Sequence, residues 1–141
     1  MAAVERANPV VERVLSYDLD EIVAHYADSY SLSLDTARTH ERELKRYLAL
    51  RALDPDGVYG MAGVVDKLWH AFILFTKDYA RFCREAVGSF VHHVPRTKRE
   101  GVDSSPYDAY ARTLAAYQRV FGEPAPREIW PRYPTKALTD T

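Results

Sequence analysis

At 141 residues the chain is the size of one domain, and 47% hydrophobic content is enough to bury a core without disulfide or metal staples. Lysine and arginine number 19 against 20 acidic residues, so the formal net charge is −1 and no cationic excess exists to neutralise nucleic-acid phosphates. A lone Cys83 excludes an internal disulfide, no window is apolar for long enough to span a bilayer, and Met1 to Arg6 lacks the apolar stretch of a secretory signal; a cytoplasmic protein without membrane or nucleic-acid partners is expected.

Asn8-Pro9 supplies a cap and a residue suited to the first helical position, which starts a short first helix. Asp18 followed by Glu21 starts a second, in which Leu19, Ile22, Val23, Tyr26, Ala27 and Tyr30 recur on one face. Ser33 caps a third helix reaching Leu53, with Ala37, Leu44, Tyr47, Leu48 and Leu50 as its apolar line. Its charged middle, Glu41 to Arg46, is expected to face solvent. Asp54-Pro55-Asp56-Gly57 is a turn. The fourth segment, Met61 to Val87, carries a stripe of Val65, Leu68, Trp69, Phe72, Ile73, Thr76, Tyr79, Ala80 and Cys83. A straight helix of that length would span roughly 40 Å, too long for so small a domain, so a break is predicted near Thr76-Lys77-Asp78, with Gly88 as the stop.

Ser89 to Pro95 reads as a short extended segment containing His92 and His93. Ser105-Pro106 and Asp108 start a last helix, with Tyr107, Tyr110, Ala111, Leu114, Tyr117, Gln118 and Phe121 on its face, and Gly122 stops it. A Pro-rich C-terminal tail follows, in which Ile129 and Trp130 are placed to anchor to the core. The expected fold is all-α: one compact bundle of about four to five helices over residues 1–134, with a disordered tail at 135–141.

The residues able to do chemistry lie between Val65 and Pro95, with the third helix opposite. Asp66 and His70, four apart, share a helix face at the flank of the apolar stripe. His92 and His93 point to opposite sides of an extended chain, so one of the two faces that surface. His70, one of His92 or His93, and Asp66 would give a metal two imidazoles and a carboxylate with open positions, a set suited to zinc or iron, with copper or manganese as alternatives. Glu43 would be a fourth ligand or a general base, and Glu43 and Asp66 are the catalytic candidates. This reading is a small metal-dependent enzyme of oxygenase or hydrolase type, acting on a small molecule or peptide.

The competing reading is a non-enzymatic protein-interaction module. There Asp66 pairs with His70 or His93 and ties the extended segment to the helix through a charge-assisted hydrogen bond that needs no metal, and Pro124 to Tyr133 is the binding surface. A third reading is metal-free acid–base chemistry by Asp66 and His70. No H-E-x-x-H, paired E-x-x-H, phosphate-binding glycine loop or G-x-S-x-G elbow is present. Cys83 reads as a small buried hydrophobe, Trp69, Phe72 and Tyr79 as core, and His25 and His40 as solvated.

The run Val65-Asp66-Lys67-Leu68-Trp69-His70, followed by Thr76, Tyr79, Phe82-Cys83 and His93-Val94-Pro95, resembles the V-D-x-x-W-H … H-x-P pattern of the glycine-rich domain-containing protein-like family. Glu43 to Leu50 resembles that family's E-x-K-R-F-L-x-L helix, and Tyr110 to Pro131 the end of its short stand-alone members. Many members carry a second histidine where this chain has Phe72. The resemblance implies no settled activity, but it selects Asp66, His70 and His93, with Glu43 behind them.

Overall fold

The structure is a computed structural model and describes residues 8–93 and 106–132. Val94 and Pro95, the start signal Ser105, Tyr133 of the Pro-rich tail, and the tail expected to be disordered at 135–141 lie outside the described residues. The fold is all-helical: α1 (Pro9–Ser16), α2 (Asp20–Ser29), α3 (Leu34–Leu53), α4 (Gly63–Leu74), α5 (Thr76–Phe82), a π turn (Cys83–Val87) and α6 (Pro106–Phe121), with no strand among the described residues.

The starts follow local chemistry. Asn8 Oδ1 accepts from the Val10 amide at 2.9 Å, with Pro9 at the first position of α1. Asp18 Oδ1 accepts from the Asp20 amide at 2.9 Å, one residue ahead of the α2 cap Leu19. Ser33 Oγ accepts from the Thr36 amide at 3.1 Å and so caps α3.

Helix α3 is the centre of the molecule and packs against α1, α2, α4 and α6. That surround corrects the expectation that Glu41 to Arg46 faces solvent: Glu41, Glu43, Leu44 and Lys45 are buried and Arg42 alone in that stretch is exposed. A helix with four neighbours has little outer face left, so its polar side chains must find partners inside.

The long fourth segment breaks at Phe75, whose φ of −83° and ψ of 72° leave the helical region between α4 and α5. The next helix then widens into the π turn, which ends where Gly88 takes the left-handed φ of 96° and its amide donates to the Cys83 carbonyl at 2.7 Å. Residues 89–93 run on without regular structure. The loop after α3 docks on α6 at Gly60, whose amide donates to the Ala109 carbonyl at 2.9 Å and whose carbonyl accepts from Thr113 Oγ1 at 2.7 Å. A Cβ there would stand 2.7 Å from the Tyr110 backbone, so glycine is what permits the approach. Beyond α6, Trp130 is fully buried, stacked on Tyr47 with ring centres 6.3 Å apart. Arg132 donates to the Trp130 carbonyl and, at 2.8 Å, to the Ala125 carbonyl, which ties residues 125–132 together around Trp130.

Candidate functional site

Tyr47, in the middle of α3, lies between two tryptophans and two polar clusters. On one side its ring meets Trp69 of α4 at 5.4 Å, and on the other Trp130 at 6.3 Å.

The Trp69 side holds the first cluster. His93 Nε2 and Asp66 Oδ1 are 2.5 Å apart, and the imidazole lies against the Trp69 ring at 4.4 Å. The pair is at the edge of the core, with 26% of the His93 and 47% of the Asp66 side chain exposed. The chain leading to His93 is tied at each step. The Val91 amide donates to Cys83 Sγ at 3.5 Å, and the Val91 carbonyl accepts from Tyr79 Oη at 2.5 Å. The His92 carbonyl accepts from Arg51 Nη2 at 3.2 Å. Trp69 Nε1 donates to Tyr79 Oη at 3.1 Å, so one phenol serves two elements. Burial raises the Tyr79 hydroxyl far above its ordinary pKa and raises that of the Cys83 thiol, so both stay neutral. A thiol held in its neutral form by burial is not a nucleophile.

Arg51 extends over the Tyr47 and Trp69 rings, 5.8 Å from each centre, and also donates to Tyr47 Oη at 3.0 Å. It fastens α3 to the 89–93 segment through its flat, delocalised charge. Sequence reasoning missed it, although its place one turn after Tyr47 on the Trp-facing side of α3 was a usable signal.

The Trp130 side holds the second cluster. Glu43 is fully buried. Its Oε1 accepts from Tyr117 Oη at 2.8 Å and from Trp130 Nε1 at 2.9 Å, and its Oε2 accepts from Arg42 Nε at 2.9 Å. Arg46 Nη1 donates to Tyr117 Oη at 2.7 Å. Burial, the largest cause, raises the Tyr117 pKa well beyond its ordinary value, so the phenol stays a donor to the carboxylate. Three partners from α3, α6 and the terminal segment thus converge on one carboxylate.

Of the residues singled out from sequence, the structure brings Asp66 and His93 together. His70 is exposed, one turn further along α4. His92 is exposed and lies against Phe90, ring centres 4.7 Å apart. Glu43 is engaged with Tyr117, Trp130 and Arg42. Among the described residues no three His, Cys, Asp or Glu side chains stand close enough to hold one ion. Spacing along α4 put Asp66 and His70 on one helix, but the supporting elements approach only Asp66. Phe72 is fully buried against Tyr79 and Phe82, at ring distances of 4.9 and 5.3 Å.

His40, expected to be solvated, is instead buried, and its Nδ1 is 2.8 Å from Tyr26 Oη of α2. Burial first, and the Lys67 charge second, hold its pKa below the ordinary imidazole value. The bond joins α2 to α3, and Tyr26 itself is pushed up to about 12 by burial.

The sequence model of the UCP032817-like family matches residues 8–106, more than half of the chain, which therefore belongs to that family. This corrects the resemblance to the glycine-rich domain-containing protein-like family: the V-D-x-x-W-H and H-x-P runs are too short to outweigh a match over most of the chain. No curated protein and no solved structure matches. Among the described residues no helix is long and apolar enough to cross a membrane.

Proposed function

We propose that this UCP032817-like protein is a non-catalytic binding module, in which Asp66 and His93 form a clasp that holds the 89–93 segment on the bundle. One observation carries the reading. The His93–Asp66 bond is the last of a row of ties along Val91, His92 and His93, made by Cys83, Tyr79 and Arg51. Each tie uses a polar group to hold backbone or ring, and the Glu43 cluster does the same for the terminal segment. A cytoplasmic location fits a single cysteine kept as a buried thiol.

The test is a double-mutant cycle on His93→Ala and Asp66→Asn, read by urea unfolding. A clasp predicts a coupling of about 0.5–1.5 kcal/mol, the net worth of a protein hydrogen bond. Strictly additive losses would overturn it.

A second reading keeps the metal-dependent enzyme, because the Asp66–His93 pair is partly open to solvent and already supplies a carboxylate and an imidazole. Zinc or iron, or else copper or manganese, would bind there, with His70 the nearest further imidazole along α4. Elemental analysis after purification without a nickel column decides between the two. Stoichiometric metal that is lost in His93→Ala would replace the clasp with a metal site.

A further inference from the structure

Adjoining the Glu43 cluster through Arg42 and Arg46, α1 and α3 enclose an open cleft of about 270 Å³, lined by Leu15, Arg38, Glu41, Arg42, Lys45 and Arg46. Four of its six lining side chains are cationic, in a protein whose net charge is −1. The charges are layered. Glu41, whose side chain is 8% exposed, pairs with Arg38 at 2.7 Å and with Lys45 at 3.0 Å. Glu43, fully buried, pairs with Arg42 at 2.9 Å. The carboxylates thus lie beneath, and the surface above them is presented by Arg38 and Arg42, 40% and 53% exposed.

That arrangement preorganises cations. The buried acids hold the guanidinium groups in place before any ligand arrives, which lowers the ordering cost of binding. A guanidinium has five N–H donors in a planar fork. Arg42 meets Glu43 through Nε, so its Nη1 and Nη2 remain to meet two oxygens of one anion. Arg46 meets Tyr117 through Nη1 alone among its nitrogens.

We infer that this cleft binds a small phosphomonoester, with the phosphate on Arg42, Arg38 and Lys45 and the organic part against Leu15. The assignment rests on the reading of the chain as a binding module and names its ligand. Size and charge both select a compact dianion. The volume is just under the roughly 300–1,000 Å³ of typical small-molecule sites. Acidic groups bracket the cleft: Asp20, 69% exposed, pairs with Arg38 at 2.8 Å, and Glu123, 59% exposed, is 3.9 Å from Arg46. A long polyanion would run onto these carboxylates, whereas one phosphate fits between them.

The experiment is an amide NMR titration of the full chain with inorganic phosphate, glycerol phosphate, glycerol, sodium chloride at matched ionic strength, and a tetra-glutamate peptide. Saturable shifts confined to Leu15 and residues 38–46 are expected with both phosphates, tighter with glycerol phosphate. Arg42→Gln and Arg38→Gln should each weaken binding about tenfold, the loss of one charge-assisted hydrogen bond, with the amide spectrum otherwise retained. His93→Ala, remote from the cleft, should leave the affinity unchanged. Equal shifts from chloride would overturn the assignment, as would binding that survives both arginine substitutions or tighter binding of the peptide. Tighter inorganic phosphate than glycerol phosphate would remove the organic part from it. Loss of the ligand with the Asp66–His93 coupling intact refutes only the cleft, whereas stoichiometric metal at that pair refutes the binding-module reading whatever the cleft does.

Discussion

Glu43→Ala separates a structural carboxylate from a catalytic or metal-binding one. In the native fold one oxygen accepts from Tyr117 and Trp130 and the other from Arg42. Truncation leaves Trp130 Nε1 without an acceptor inside a residue that is fully buried. Tyr117 keeps the Arg46 donor but loses the acceptor of its own proton. Two stranded donors at about 1–3 kcal/mol each, set against partial relaxation of the site, place the loss at about 3–5 kcal/mol, the usual cost of removing one partner of a buried ionic contact. Arg42 adds little, because its exposed guanidinium returns to water. Glu43→Gln keeps a carbonyl for Tyr117 and Trp130 and loses only the charged contact to Arg42, so about 1–2 kcal/mol is expected. Urea unfolding followed by tryptophan fluorescence reads both variants, since Trp130 itself reports the site. A Glu43→Ala protein within about 1 kcal/mol of the wild type would refute the argument and return Glu43 to the role of ligand or base.

Other perturbations probe the remaining contacts. Tyr79→Phe removes the acceptor of Trp69 Nε1 and the donor to the Val91 carbonyl; about 1–3 kcal/mol should be lost, with hydrogen exchange fastest at residues 89–93. Gly60→Ala places a methyl 2.7 Å from the Tyr110 backbone, so about 1–3 kcal/mol of overpacking strain is expected in thermal melts; an unchanged melting point would show that α6 yields freely. His40 is a group whose folded pKa is lowered by burial and by Lys67. Above the ordinary imidazole pKa of about 6.5 both folded and unfolded forms are neutral and stability is full. As pH falls below that value the unfolded chain binds the proton first, and stability declines until the folded pKa is passed. Urea midpoints across this range should slope downward toward acid in the wild type and flatten in His40→Gln; an equal slope in the variant would assign the effect elsewhere.

The site was only partly legible. The break between α4 and α5 and the stop at Gly88 follow from length and from glycine's backbone freedom, which are local properties. The pairing of Asp66 with His93 needed the π turn and the Tyr79–Val91 bond to bring residues 27 apart in sequence together. Helical spacing nominated His70 equally well, yet no element covers that side of α4 at His70, and the side chain stays in solvent.

What the order of residues determined alone is the set of helices and their starts: Asn8, Asp18 and Ser33 act on amides within three residues of themselves, and such contacts form whatever surrounds them. What only the tertiary structure decided is which polar residues go inside. Glu41, Glu43 and Lys45 have the composition of a solvated helix face, and they are buried because α1, α2, α4 and α6 all pack on α3. A central helix must satisfy its charges within the protein: Glu41 does so along α3 itself, on Arg38 and Lys45, whereas Glu43 also needs Tyr117 and Trp130, more than 70 residues away in sequence. For Glu43 no local pattern along α3 encodes that choice, because the energy of burying its carboxylate depends on donors carried by α6 and by the segment after it.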